Sequence, residues 1–110
     1  MNTSKKSATK NSFHNQVYEL VKTIPKGKVT TYKEIAHVLH SKAYRAVGSA
    51  LAKNPHKDVC CHRVIKSDRS IGGYYGSMSE ESVKKKMSLL KQEGVQIHKQ
   101  QVRKEDIYVF

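Results

Sequence analysis

The chain has few of the residues that build disulfides or zinc sites. Its 110 residues include two cysteines, the neighbours Cys60 and Cys61. Successive Cα atoms lie about 3.8 Å apart, closer than the roughly 4.4 to 6.8 Å of ordinary disulfides, so we expect two free thiols, as in a reducing compartment. No Cys-x-x-Cys spacing accompanies them, and three consecutive side chains at 60–62 cannot easily converge on one tetrahedral ion. We therefore expect no metal site.

Long apolar runs and acidic residues are also scarce. No apolar run approaches the roughly 18 residues needed to cross a bilayer, and residues 1–11 lack the apolar centre of a signal peptide. We expect an intracellular protein, cytoplasmic or nuclear, with no membrane partner. Lys and Arg total 21 against 9 Asp and Glu, a formal net charge of +12, which favours a polyanion such as nucleic acid as the partner.

The length suits one domain behind a basic tail. Residues 1–11 are polar and basic without periodicity, which predicts a disordered tail. Residues 12–110 carry recurrent apolar patterns and are expected to form a single winged-helix-like domain.

Four segments have the apolar spacing of amphipathic helices. They are 12–24, with Ser12 as N-cap and Pro25 as the stop; 31–39, opened by the capping box Thr31 to Glu34; 43–51; and 79–93, with Gly94 as the cap. The residues predicted to face inward are Phe13, Val17, Leu20, Val21 and Ile24, then Ile35, Ala36 and Leu39, then Ala43, Ala46, Val47, Ala50 and Leu51, and finally Val83, Met87 and Leu90.

The remaining segments predict a small β element. Residues 59–65 form a short apolar, β-branched run typical of a buried strand or extended segment, and 67–76 form a Gly-rich loop. Residues 95–97 are expected to pair with 107–110 as a terminal ribbon or wing. Because the second and third helices are separated by a short polar break at 40–42, the pattern predicts a mainly α fold of winged-helix or helix-turn-helix type.

One face of the third helix is suited to close docking. There Arg45 is surrounded by Gly48, Ser49 and Ala52. Small residues are poor choices for a merely solvated face, where Glu and Lys favour the helix more. The pattern therefore indicates tight contact with a backbone such as that of DNA.

Cys61 is a candidate nucleophile. It is followed by His62 and Arg63, and positive neighbours lower the pKa of a thiol and increase its nucleophilic thiolate fraction. The alternative is that Cys61 is a buried small apolar residue, as free cysteines often are.

The segment 61–65, Cys-His-Arg-Val-Ile, resembles the active-site core of the O6-alkylguanine-DNA alkyltransferases, also called methylated-DNA–protein-cysteine methyltransferases. Further matches follow the family's order. They are GKVTTY at 27–32, YRAVGSAL at 44–51, Asn-Pro at 54–55, IGGY at 71–74 and LLKQEG at 89–94. The resemblance covers about Phe13 to Gly94, and the related alkyltransferase-like proteins are the nearest alternative.

The resemblance implies a suicidal transfer chemistry. Cys61 would accept an alkyl group from O6 of guanine and keep it, while His62 would take the thiol proton through a water. Glu93 would orient the imidazole, and its place in a helix's last turn, where the macrodipole opposes an acid, independently suggests another partner. Tyr32 matches the tyrosine that donates a proton or hydrogen bond to the leaving guanine.

The resemblance also implies binding to double-stranded DNA with the damaged nucleotide flipped out. Arg45 would fill the vacated stack, and Tyr32 would crowd the phosphate to promote rotation, although its helical angle also places it near the inward stripe of its own helix. Lys33, His40 and Ser67 match positions that contact the DNA backbone. The family places the second helix of its motif in the minor groove.

The pocket and the remaining requirements follow from the same resemblance. Tyr74 would line the base pocket, Asn54 would brace the active-site turn, and Arg63 and Val64 belong to the pocket segment. No cofactor is required, because thiolate displacement needs only an activated nucleophile and a positioned leaving group. The protein is expected to act as a monomer.

The sequence departs from the family at several points. Cys60 replaces the usual proline, which loosens a turn that proline would fix. The stretch 55–61 is one residue shorter than in typical members, a length found in the alkyltransferase-like proteins. Tyr75 stands where a small serine is common, and the N-terminal domain of many relatives is not matched.

Two alternative functions remain open at the sequence level. One is lesion recognition without transfer, as in the alkyltransferase-like proteins, which bind the same lesions but normally carry tryptophan in place of the cysteine. The other is a winged-helix regulator that reads the major groove, with Cys61 in the core. The regulator predicts sequence preference, whereas repair predicts preference for damage.

Overall fold

The computed structural model describes residues 12–110, and helices dominate it. Within this range the α-helices are α1 (Phe13–Lys22), α2 (Tyr32–Val38), α3 (Tyr44–Ala52) and α4 (Glu80–Gln92), and short 3-10 helices cover Cys61–Arg63 and Lys104–Asp106. The strands are β1 (Thr30–Thr31), β2 (Val64–Ile65), β3 (Ile97–His98) and β4 (Gln101–Val102). The predicted class, mainly α with a small β element and a helix-turn-helix, is confirmed. The predicted tail lies outside the described residues.

Hydroxyl caps fix where three of the helices begin. The side chains of Ser12, Thr31 and Ser79 each accept a hydrogen bond from the backbone N–H three residues later, at 3.2, 3.0 and 3.2 Å. Gly94 ends α4 with φ at +92°, a left-handed conformation that glycine adopts without a Cβ penalty. The predicted N-caps and the glycine cap are confirmed.

The helix-turn-helix break contains a left-handed residue. His40 has φ at +56°, and the following residue, Ser41, donates its N–H to the carbonyl of Ala36 at 2.8 Å. Ala43 was expected to face the core, and that prediction is wrong. Ala43 is exposed because it is the N-cap of α3 and precedes its first turn.

A parallel pair of short strands joins the start of α2 to the cysteine segment. Thr30 pairs with Val64 and Thr31 with Ile65. The predicted extended run over 59–65 is only partly correct, because Cys61–Arg63 is a 3-10 turn and only its last two residues are extended. The pairing nonetheless places the segment that carries Cys61 next to the first turn of α2.

The terminal ribbon forms with a different partner from the predicted one. β3 pairs antiparallel with β4, whereas Ile107 makes a parallel bridge to Val29. Lys99 and Gln100 have φ at +51° and +63°, the two positive values of a two-residue hairpin turn. This local closure requires less chain ordering than a distant pairing, so the nearer strand is the partner.

The core consists of two apolar clusters. One joins α1, α2 and α3 and includes Cys61 and Val64, and the other joins α4 to the ribbon through Leu90 and Val102. Val83 and Met87, both predicted to face inward, are half-buried against the second cluster. None of the helices between residues 12 and 110 is long and apolar enough to span a membrane.

Candidate functional site

Cys61 lies at a cavity of about 200 Å³ between α3 and the loop that precedes α4. The lining residues are Tyr32, Gly48, Leu51, Ala52, Cys61, Gly73, Tyr74, Tyr75, Gly76 and Met78. Tyr32 also packs against the first core cluster, so it both supports its helix and borders the cavity. Cys61 is mostly buried and belongs to that cluster, and it also forms part of the cavity wall.

Asn54 braces the segment that presents Cys61. Its Nδ2 donates to the carbonyl of Val59 and its Oδ1 accepts the N–H of His56, both at 2.9 Å. The N–H of Cys61 in turn donates to the carbonyl of Val59 at 2.9 Å. Because Asn54 is buried, these bonds fix the loop between α3 and the thiol without competition from water.

The thiol is held protonated by its surroundings. Burial raises the pKa of Cys61 above its usual value, and hydrogen bonds from Tyr75 and Asn54 and the charge of Lys86 oppose this without cancelling it. The sequence predicted a pKa lowered by His62 and Arg63, and this prediction is wrong. Arg63 is engaged elsewhere, as described next, and burial lowers the pKa of His62, which leaves the imidazole neutral near pH 7.

Glu93 joins His62 and Arg63 beside the thiol segment. Nε2 of His62 lies 3.0 Å from Oε2 of Glu93, but the ring does not point its N–H along that line, and Nε2 has no aligned hydrogen-bond partner. We regard the pair as a close polar contact between a neutral imidazole and a carboxylate, which a small ring rotation would align while Arg63 holds the carboxylate at both oxygens. Burial raises the pKa of Glu93, but the hydrogen bonds from Arg63 and the closeness of His62 outweigh it, so the carboxyl is ionised at neutral pH.

Lys86 is a buried cation that the sequence analysis missed. Its side chain has no exposed surface, and its Nζ donates to the carbonyls of Ile71 at 2.7 Å and Gly73 at 2.9 Å. The same Nζ lies 3.5 Å from the hydroxyl of Tyr32. Burial lowers the pKa of Lys86 to about 8. Burial, together with the nearby Cys61, raises the pKa of Tyr32 to about 12, so the phenol keeps its proton at neutral pH.

The predicted DNA-contacting residues other than Tyr32 are exposed. Lys33 and Ser67 are exposed and line a common hollow of about 760 Å³ between α2, the start of α3 and the loop after β2. Arg45 is exposed in the first turn of α3, whose later residue Gly48 borders the Cys61 cavity. His40 is exposed in the turn between the helices and does not line that hollow.

The predicted pocket residues divide into two groups. Tyr74 lines the cavity, whereas Asn54 lies behind it as the brace described above. Arg63 and Val64 do not line it: Arg63 points to Glu93 and to the carbonyl of Ile24, and Val64 is fully buried in the core. From residue 12 onward, no three His, Cys, Asp or Glu side chains are grouped to hold a metal ion.

Comparisons with known proteins agree with this arrangement. Residues 12–95 match the family model described as 6-O-methylguanine DNA methyltransferase, DNA binding domain. A methylated-DNA–protein-cysteine methyltransferase of Saccharolobus islandicus is 48% identical over 86 residues, which are 77% of this chain and 52% of that protein. One from Methanothermobacter thermautotrophicus is 40% identical over 89 residues, 80% of this chain and 47% of its own length. The chain thus spans about half the length of these curated relatives.

Solved structures of related proteins have a similar fold. S. pombe Atl1, crystallised with damaged DNA containing O6-carboxymethylguanine, superposes with a TM-score of 0.74 and 31% identity, covering 87% of this chain and 94% of Atl1. The O6-methylguanine-DNA methyltransferase of Pyrococcus kodakaraensis gives a TM-score of 0.64 and 38% identity over 77% of this chain and 47% of its own. The chain therefore belongs to the family of 6-O-methylguanine DNA methyltransferase DNA-binding domains.

Proposed function

We propose that this protein repairs O6-alkylguanine in double-stranded DNA by moving the alkyl group irreversibly onto Cys61. The observation that carries the proposal is a thiol that borders a cavity and is followed, in the same 3-10 turn, by a neutral imidazole against which an ionised Glu93 lies. A neutral His62 can accept the thiol proton, through a water, while Glu93 stabilises the resulting imidazolium. A structural cysteine needs neither a cavity nor an adjacent base.

The transfer exchanges one bond for another. The thiolate of Cys61 forms a bond to the alkyl carbon as the bond from that carbon to O6 breaks, and the electron pair of the broken bond passes into the guanine ring. The base then needs a proton, which Tyr32 supplies from its hydroxyl. Lys86, 3.5 Å from that hydroxyl, stabilises the phenolate and can return a proton to it. The thioether is stable, so each molecule acts once.

A stacked guanine cannot bring O6 to a cavity of this kind, so the nucleotide must rotate out of the duplex. Arg45, on the exposed side of α3, would fill the space that the flipped nucleotide leaves in the duplex. Lys33, His40 and Ser67 would contact the flanking phosphates. Tyr32, at the start of α2, would press on the phosphate of the flipped nucleotide. The formal net charge of +12 supports a duplex partner, because lysines and arginines that neutralise phosphates release counterions.

A second candidate is recognition of alkylguanine without transfer. The match to S. pombe Atl1 favours it, because the TM-score is 0.74 for Atl1 and 0.64 for the Pyrococcus methyltransferase. The raised pKa of Cys61 also limits the thiolate available at neutral pH. Both functions require binding to the lesion, and only the first consumes it.

The deciding experiment incubates excess protein with a duplex that carries one O6-methylguanine. Loss of the lesion from the DNA and gain of one methyl mass by the intact protein are both measured. We expect the wild-type chain and Cys60→Ala to remove the lesion, and Cys61→Ala to bind the duplex without removing it. An unaltered lesion bound by wild-type protein would replace the first proposal with the second.

A further inference from the structure

Tyr75 occupies a strained position at the mouth of the Cys61 cavity. Tyr74 and Ser77 exchange both backbone hydrogen bonds, at 3.0 and 3.1 Å, and enclose a two-residue turn made of Tyr75 and Gly76. Both central residues have positive φ, +50° and +76°, which is the geometry of a turn that favours Asn-Gly. A bulky residue at positive φ is uncommon and costs free energy, so the surroundings of the Tyr75 ring decide whether it has a function there.

The surroundings of the turn restrict where the Tyr75 ring can go. A Cβ on Gly76 would lie 3.0 Å from the Cβ of Ala52, so the turn is pressed against α3 and cannot move towards it. The ring of Tyr75 meets that of Tyr74 edge to face, with centroids 4.8 Å apart. Tyr75 is 48% exposed and also lines the cavity that Cys61 lines, so its ring borders both the cavity and solvent.

The nearby Cys61 affects the ionisation of the Tyr75 hydroxyl. Burial and the nearby Cys61 together raise the pKa of Tyr75 to about 12, which keeps the hydroxyl a donor. With this ring in place the cavity measures about 200 Å³. Pockets for small organic ligands are usually larger, roughly 300 to 1,000 Å³, so this cavity is small for a purine that carries a bulky alkyl group.

We propose that Tyr75 sets an upper limit on the size of the alkyl group that can reach Cys61, admitting groups of methyl size and excluding groups as large as benzyl. This inference rests on the proposed function for its biological meaning. The size limit is a property of the cavity, so it can be measured without DNA from the reaction of Cys61 with small thiol reagents.

The test uses Tyr75→Asn and Tyr75→Phe. Asparagine tolerates positive φ and keeps the turn while removing the ring, whereas phenylalanine keeps the ring and removes the hydroxyl. In a Cys60→Ser background, the modification rates of Cys61 by methyl and benzyl methanethiosulfonate are compared. We expect Tyr75→Asn to raise the benzyl-to-methyl rate ratio by at least about tenfold, a usual size of pocket discrimination, and Tyr75→Phe to leave it within about threefold.

The same variants are then assayed with duplexes that carry O6-methylguanine or O6-benzylguanine. A selective gain of benzyl transfer by Tyr75→Asn supports the size limit in repair. An unchanged reagent ratio in Tyr75→Asn, or an equal change in Tyr75→Phe, overturns the inference. Absence of transfer to every variant would instead overturn the proposed repair function, and the reagent ratio would still decide the role of Tyr75.

Discussion

Arg63 holds Glu93 with a bidentate ion pair, with Nε 2.9 Å from Oε1 and Nη2 2.8 Å from Oε2. The two residues are separated by 30 positions in sequence, so the pair joins the cysteine segment to the end of α4. Each side chain is 14% exposed, so solvent weakens the pair little. It ties the geometry of the proposed base, His62, to the folding of the C-terminal half.

Breaking this pair on one side should destabilise the protein strongly. We expect Arg63→Met or Glu93→Gln alone to lower the free energy of unfolding by about 3 kcal/mol, because each leaves a largely desolvated charge without its ion-pair partner. The double variant should lose less than the sum. Urea denaturation of the wild type, the two single variants and the double variant measures these differences. A loss below about 0.5 kcal/mol in either single variant would contradict the prediction.

The same pair gives an acid dependence. The pKa of Glu93 is lowered in the folded protein, so its contribution to stability is present above the unfolded value of about 4.3 and is lost as pH falls through the folded-state pKa. The stability difference between wild type and Glu93→Gln should therefore shrink below about pH 4. A stability difference that stays constant as the pH falls would show that the Glu93 carboxylate does not cause it.

The ammonium group of Lys86 should titrate far below an ordinary lysine. Its pKa of about 8 predicts a midpoint near that pH in the ¹³Cε chemical shift, which NMR of the labelled protein measures directly. Between this value and the unfolded value of about 10.4 the unfolded chain binds more protons, so stability attributable to Lys86 should rise with pH across the interval. A midpoint above about 10 would mean that Lys86 is solvated.

Arg45→Ala should reduce flipping of the damaged nucleotide. Loss of the side chain that fills the vacated stack should lower the flipped fraction roughly tenfold, the factor for about 1.4 kcal/mol. Fluorescence of 2-aminopurine placed beside the lesion reports the fraction. Lys85→Ala, which removes the same charge from an exposed site on α4, is the control. Equal losses in both variants would indicate a general charge effect only.

Local signals in the sequence predicted the helices and their caps well. Ser12, Thr31 and Gly94 act within a few residues of themselves, so their roles depend little on the rest of the fold. The partner of β3 was predicted wrongly, because the apolar pattern of Ile107 does not reveal which distant strand it bridges. Val29, almost 80 positions away, is that partner.

The chemistry of the site was only partly predictable. The family resemblance assigned Glu93, and its place in a last helical turn supported a partner for it, but nothing local identifies Arg63 as that partner. Lys86 is hidden in the run 84–86, which resembles a solvated face. Its spacing from Val83 and Leu90 was the available signal, since it places Lys86 on the inward face of α4.

Peptide mass spectrometry after reaction with an O6-methylguanine duplex tests the central claim most directly. The account predicts one methyl group on Cys61, none on the neighbouring Cys60, and no more than one per molecule when the duplex is in excess. A peptide that carries both cysteines unmodified after the lesion has disappeared, or a methyl group on Cys60 alone, would contradict Cys61 as the acceptor.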